Sequence, residues 1–231
     1  MRDLWRARLE SMPVAPPDDP GGRLVVLSAH PDDEVLAVGG WLSGQTGRDV
    51  RFVTATDGEA SHPGSPTVTP DYLRARRPSE LLAALARLGF AEPDVVRLGL
   101  PDGELTAHED ALAEALAPLL AGASLVLAPF ERDGHPDHDA LGRAAAAALP
   151  TSAVLWRMPV WTWAWTKPDA QDWLTSLHRL DCTSVGRHRK RQAIAAFRTQ
   201  VRPLSDHPAD VAVVDEVLLH HASYAPEAVI A

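Results

Sequence analysis

Two short clusters of histidine and carboxylate stand out in this 231-residue chain: His30-Pro31-Asp32-Asp33-Glu34 and His135-Pro136-Asp137-His138-Asp139. Imidazole and carboxylate are the ligands a catalytic zinc uses, three from the protein with a further position left open. A cation so held polarises a carbonyl and acidifies water. A carboxylate beside it can take the water's proton, and a histidine can stabilise or protonate the far side of the reaction. Cys182 is the single cysteine, so neither an intrachain disulfide nor a CxxC zinc site is available. Any metal therefore falls to histidine and carboxylate. Each cluster alone also fits a plain turn, with Pro setting φ and Asp32, Asp33 or Asp137 capping the next helix.

What decides between these readings is whether the clusters meet. Leu24–Ala29 is a short continuous apolar run, as expected of a strand buried on both faces. Similar runs occur at Val50–Ala55, Asp94–Leu98, Ser124–Ala128 and Ala153–Trp156. Between them, helix-like periodicity covers Glu34–Gln45, Tyr72–Leu88 (its regular part starting at Pro78), His108–Ala121 and His138–Leu149. Strand alternating with helix predicts an α/β fold, a Rossmann-like, mostly parallel sheet with helices on both faces. In the common strand order 3-2-1-4-5, strands one and four flank the switch point where ligands bind. The first cluster follows strand one and the second follows strand four. Two clusters more than a hundred residues apart would then face each other across one crevice.

The formal net charge of −9 and pI near 5.5 argue against nucleic-acid and anionic-membrane partners, which want a basic patch. No apolar run approaches a membrane span, and the first 22 residues lack the apolar core of a secretory signal. The expectation is a cytoplasmic protein of one domain over 1–231. Residues 1–22 read as a lead-in, and 159–231 as a C-terminal extension packed on the core. In that extension, 176–182 suits a strand and Arg187–Gln200 a basic helix.

Ala29-His30-Pro31-Asp32-Asp33-Glu34 followed by His135-Pro136-Asp137-His138 resembles the PIG-L/LmbE-like N-acetylglucosaminyl deacetylases. The resemblance spans roughly residues 24–200. It includes Thr56-Asp57-Gly58-Glu59, Arg77 with Glu80, Leu100-Pro101-Asp102-Gly103, and a segment running from Lys190 to Gln200 in which Phe197 and Thr199 depart from the usual Tyr and Ser. It implies one divalent metal, usually Zn2+, on His30, Asp33 and His138, with Asp32 as general base toward the attacking water. His135 would steady the oxyanion or act as acid, oriented by Asp137. The implied reaction is hydrolysis of an N-acetyl group from a small-molecule N-acylated amino sugar. The same residues suit a metal amidase acting on a bulkier acyl or thiol conjugate. A non-catalytic sugar- or nucleotide-binding module would need no metal, but no Gly-rich phosphate loop follows strand one.

Arg77, Asp57 and Asp102 are candidate substrate contacts, since each lies near the carboxyl edge of the sheet. The plainer readings are a surface pair of Arg77 with Glu80, and turn chemistry for Asp57 and Asp102. Trp161, Trp163 and Trp165 alternate, so an extended segment would put them on one face. Burial or contact between copies in a homo-oligomer suits them better than a substrate wall. His62 sits in a long loop that opens toward the expected metal.

Overall fold

The computed structural model describes residues 2–169 and 171–231, with side chains from residue 4 onward. Seven strands, β1 (Leu24–Ser28), β2 (Val50–Thr56), β3 (Asp94–Leu100), β4 (Leu125–Pro129), β5 (Val154–Met158), β6 (Leu177–Arg179) and β7 (Ala228–Ile230), form one sheet. The order is β3-β2-β1-β4-β5-β7-β6. The first five strands are mutually parallel, and β7 runs antiparallel to both β5 and β6. β1 and β4 are hydrogen-bonded neighbours, as the two-cluster argument requires.

Between the strands run α1 (Arg2–Ser11), α2 (Asp33–Leu42), α3 (Pro70–Leu88), α4 (Glu109–Leu120), α5 (Pro136–Ala147), α6 (Thr162–Trp165), α7 (Ser184–Ile194), α8 (Arg198–Val201) and α9 (Glu216–Tyr224). The alternation of β1 feeds two cores. Leu24 and Val26 pack with α2, α3, α7 and α9, while Val25 and Leu27 pack with α4 and α5. Burial on both faces is what made β1 read as an unbroken apolar run.

Three expectations need correction. Helix α3 begins at Pro70 rather than Pro78, because Thr69 caps it by accepting from the N–H of Tyr72 at 3.2 Å and Pro70 suits the first turn. The helix carries Pro78 in its interior, and the carbonyl left without a partner, that of Arg74, belongs to an exposed residue that water can serve. Residues 1–22 are more than a lead-in. Trp5 and Leu9 of α1 are fully covered in a third cluster with Trp163, Trp173, Ala225 and Ile230. The Trp-rich segment is not extended. Helix α6 winds it so that Trp161 and Trp165 stack on each other, while Trp163 turns inward against Trp5 and His221. Among the described residues no helix is long and apolar enough to cross a membrane.

Candidate active site

Both clusters sit where a strand hands over to a helix. After β1 the chain turns through His30 and Pro31 into α2. After β4 it turns through 130–135 into α5, with Pro136 at its first position. Asp32 occupies the N-cap position of α2 but makes no side-chain cap bond, and Asp33 reaches backward to accept from the N–H of His30 at 2.9 Å. Asp137 likewise turns away from its own helix, accepting from the N–H groups of Gly103 and Leu105 at 2.8 and 3.1 Å. None of the three carboxylates serves as a simple cap.

The side chains converge. His30 Nδ1 lies 3.3 Å from His138 Nε2, which in turn lies 3.2 Å from Asp33 Oδ1. The other Asp33 oxygen is 3.7 Å from His30 Nδ1. A tetrahedral zinc with bonds of about 2.0–2.1 Å spaces its ligand atoms about 3.3 Å apart. The far nitrogen of each ring is turned to carboxylates, His30 Nε2 to Asp102 and Asp137 and His138 Nδ1 to Asp133, so the two facing nitrogens can offer their lone pairs to one cation. The donor set therefore fits a divalent metal. Ring nitrogens of His30, His135 and His138 lie within 4.8 Å of one another, and His30, Asp102 and Asp137 form a second trio of similar span. His30 belongs to both because its two nitrogens face different ways, Nδ1 toward Asp33 and His138, Nε2 toward Asp102 at 3.0 Å and Asp137 at 3.3 Å. Asp102 and Asp137 thus stand behind the His30 ring, as a carboxylate does behind an imidazole that is to hold a metal.

His138 has a support of its own that the motif did not reveal. Asp133 Oδ2 stands 2.8 Å from His138 Nδ1, leaving Nε2 for the site. The same carboxylate accepts from the backbone N–H groups of Val160, Trp161 and Thr162, each at 2.9 Å, and from the Thr162 hydroxyl. The signal in the sequence was only an aspartate two residues before His135, in a stretch already rich in acids.

Charge follows from this packing. Burial works against a proton on His30, yet the hydrogen bonds to Asp102 and Asp137 raise it to about 9. Burial also opposes charge on His138, but Asp33 and Asp133 hold it well above its usual range. Asp33 is held below the ordinary carboxylate range, against its burial, by His138 and His30. Asp32 is pushed up by burial despite Arg77, whose Nη2 is 3.2 Å from Asp32 Oδ2. His135 is pushed down to about 4 by burial and by the two neighbouring histidines. Its Nδ1 accepts from the N–H of Asp137 at 3.3 Å, which puts the proton of the neutral ring on Nε2.

A cavity of about 260 Å³ opens over these groups. His30, Asp32, Asp33, Arg77, Asp102 and His135 give it a polar side, and Leu36, Trp161, Val213 and Val214 an apolar one. Arg77 donates to Gly58 O at 2.7 Å. A Cβ on Gly58 would stand 1.7 Å from that guanidinium, so both the space and the φ of +67° there require glycine. Arg77 and Glu80 do not form the expected surface pair. Both are buried, and Glu80 instead binds Arg76 and Thr199, whose neighbour Gln200 also lines the cavity. Asp57 is not a cavity residue, since Arg97 on the adjacent strand takes both its oxygens at 2.8 and 2.7 Å. The carboxylate of Asp137 faces His30, because the 103–105 backbone draws it to that side, and Asp137 holds His135 through its backbone N–H alone. His62 is buried but does not line the cavity.

The chain is 30% identical over 174 residues to the 1D-myo-inositol 2-acetamido-2-deoxy-alpha-D-glucopyranoside deacetylase of Mycolicibacterium gilvum, covering 64% of this chain and 61% of that protein. It thus spans about three fifths of the length of such relatives. Among solved structures, its fold is similar to that of a teicoplanin deacetylase in a zinc-inhibited form, with a TM-score of 0.65, 20% identity, and 90% and 97% of the two chains covered. It is similar also to the N,N'-diacetylchitobiose deacetylase of Pyrococcus horikoshii, with a TM-score of 0.61, 20% identity, and 85% and 76% covered. At such identities the likeness shows the fold. The model of the PIG-L family, described as GlcNAc-PI de-N-acetylase, matches residues 25–149, a span that holds both histidine clusters, and the chain belongs to that family.

Proposed function

We propose that this protein is a zinc-dependent hydrolase that removes an N-acetyl group from a small amino-sugar-containing molecule. The observation that carries the reading is the spacing of His30 Nδ1, His138 Nε2 and the two oxygens of Asp33, 3.2–3.7 Å between neighbours, beside a cavity lined by His30, Asp33, Asp32 and His135. His30, Asp33 and His138 would hold the ion, which when bound supplies Lewis-acid polarisation of the amide carbonyl and acidifies water. Asp32 takes the proton of the attacking water as its oxygen bonds to the acyl carbon. Arg77 fixes the carboxylate for that task, at 3.2 Å. His135 presents its Nε2–H to the carbonyl oxygen as negative charge develops there. The C–N bond then breaks, Asp32 returns the proton to the leaving nitrogen, and the products are acetate and the free amine. Arg77 and Asp102, both at the cavity, are placed to bind substrate hydroxyls.

The test is metal analysis of the purified protein followed by an acetate-release screen over N-acetylated sugars, with and without chelation. The reading expects one zinc per chain, turnover of at least one amino sugar, and its loss on chelation. A protein that binds no divalent metal, or hydrolyses equally well without it, overturns the reading. A bulkier acyl group is the second reading, on the strength of the apolar side formed by Leu36, Val213 and Val214. A substrate series differing only in acyl length separates the two.

A further inference from the structure

The tryptophans of this protein divide sharply. Trp5, Trp41, Trp156, Trp163 and Trp173 are buried. Trp161 and Trp165 are not: Trp161 lines the candidate active-site cavity, and Trp165 is 50% exposed. The two indoles stack, with centroids 5.4 Å apart and planes at 25°, and Trp161 stacks in turn on His135 at 6.5 Å and 25°. The three rings make a continuous row from the reaction centre to the protein surface. Leaving so large an aromatic in water forgoes burial that its neighbours enjoy, and needs a reason.

The row is also held rigidly. Position 134 carries glycine at φ +85°, where a Cβ would stand 2.5 Å from the Trp165 ring, so the indole lies directly over the backbone that precedes His135. The N–H of Trp161 is bound by Asp133, the same carboxylate that orients His138. The backbone that carries Trp161 thus shares its anchor with a proposed metal ligand.

We infer that Trp161 and Trp165 form a ring-stacking subsite for a second sugar ring, joined glycosidically to the amino sugar that is deacetylated. The identity of the first ring rests on the reading above; the shelf itself does not. A pyranose covers an indole with its axial C–H face and keeps its hydroxyls in water, which suits a half-exposed ring. An alkyl chain would gain little on such an open shelf and is better served by an enclosed channel.

Two measurements on the zinc-loaded full chain test this. The first is the ratio of kcat/KM for N,N'-diacetylchitobiose over N-acetylglucosamine, in the native protein, Trp165→Ala and Trp165→Phe. The ratio is expected to fall about tenfold in Trp165→Ala and to lie in between in Trp165→Phe. The second is binding of chitobiose, the doubly deacetylated disaccharide, against glucosamine, followed by the indole N–H resonances of the seven tryptophans. Preferential binding of chitobiose that moves the Trp161 and Trp165 signals, and is weakened in Trp165→Ala, supports the shelf even if neither acetylated sugar is turned over; in that case only the deacetylase reading fails. Equal binding of one and two rings, no binding of either, or resonances that stay still overturns the shelf even where deacetylation is observed. So does a ratio unchanged in Trp165→Ala, or a Trp165-dependent preference for N-octanoyl over N-acetyl glucosamine, which would make the shelf an acyl site.

Discussion

Asp32 and Asp133 illustrate how differently two buried carboxylates can serve one site. Asp32 faces the cavity with Arg77 as its partner, whereas Asp133 has every oxygen committed to the support of His138 and the 160–162 backbone. Replacing Asp32 with Asn removes the base and leaves the proposed ligands in place. Turnover is expected to fall by about 10²–10⁴-fold while zinc stoichiometry stays at one per chain; a variant with ordinary turnover would show that another group takes the proton. Replacing Asp133 with Asn puts an amide NH2 where backbone donors need an acceptor. Zinc affinity is expected to weaken by about 10–100-fold, which competition against a fluorescent chelator measures. The two short clusters were legible at this scale because His, Asp and Pro at those spacings carry their chemistry openly. Asp133 was not, since a residue that acts through another leaves no spacing of its own, and the partner of Asp137 depended on a loop 34 positions away.

Helix α2 brings Asp33 into the site, and its middle is broken. Val38 leaves helical geometry, at φ −131° and ψ 21°, which frees the N–H groups of Gly40 and Trp41. Glu227, from the segment before β7, accepts both at 2.7 Å and pairs with buried Lys190 of α7 at 2.8 Å. One carboxylate thus ties α2, α7 and the C-terminal strand together beneath the site. Glu227→Ala leaves Lys190 buried without its partner and is expected to cost about 3–5 kcal/mol in urea unfolding. Combining Glu227→Gln with Lys190→Met is expected to cost less than Glu227→Ala, since no charge is then stranded. Nothing in the sequence marked this clasp. The tail beyond 208 has weak periodicity, and its strand is three residues long and held by neighbours rather than by its own pattern. The five parallel strands, by contrast, were legible because burial on both faces forces unbroken apolar runs.

Across the whole molecule, the site is walled by segments far apart in the chain. Asp210 collects the hydroxyls of Ser65, Thr67 and Ser205, and so joins the loop after β2 to the segment before α9, both of which border the cavity. Although its covering disfavours charge, these hydroxyls hold Asp210 down at about 2, against 3.8 unfolded. The clasp is therefore in full force above pH 4 and is lost as pH falls through about 2. Acid titration followed by circular dichroism is expected to show a shallower loss of stability in Asp210→Asn than in the native protein over that interval. The meeting of the two clusters could be anticipated from the common strand order 3-2-1-4-5, because that order sets strands one and four side by side. The roof could not, since loops of this length take their shape from partners such as Asp210 that no local rule predicts.

The paired indoles of Trp161 and Trp165 also have a spectroscopic consequence. At 5.4 Å their excited states share energy, so the pair should produce a split signal of opposite signs in the far-ultraviolet dichroism of the indole band. Trp165→Phe should remove this pair's share of the couplet, read as a difference spectrum against the native protein, while the shares of Trp5 with Trp163 and of Trp41 with Trp156 persist. The protein thus carries an optical gauge beside its reaction centre, one that responds to anything altering the angle between two rings.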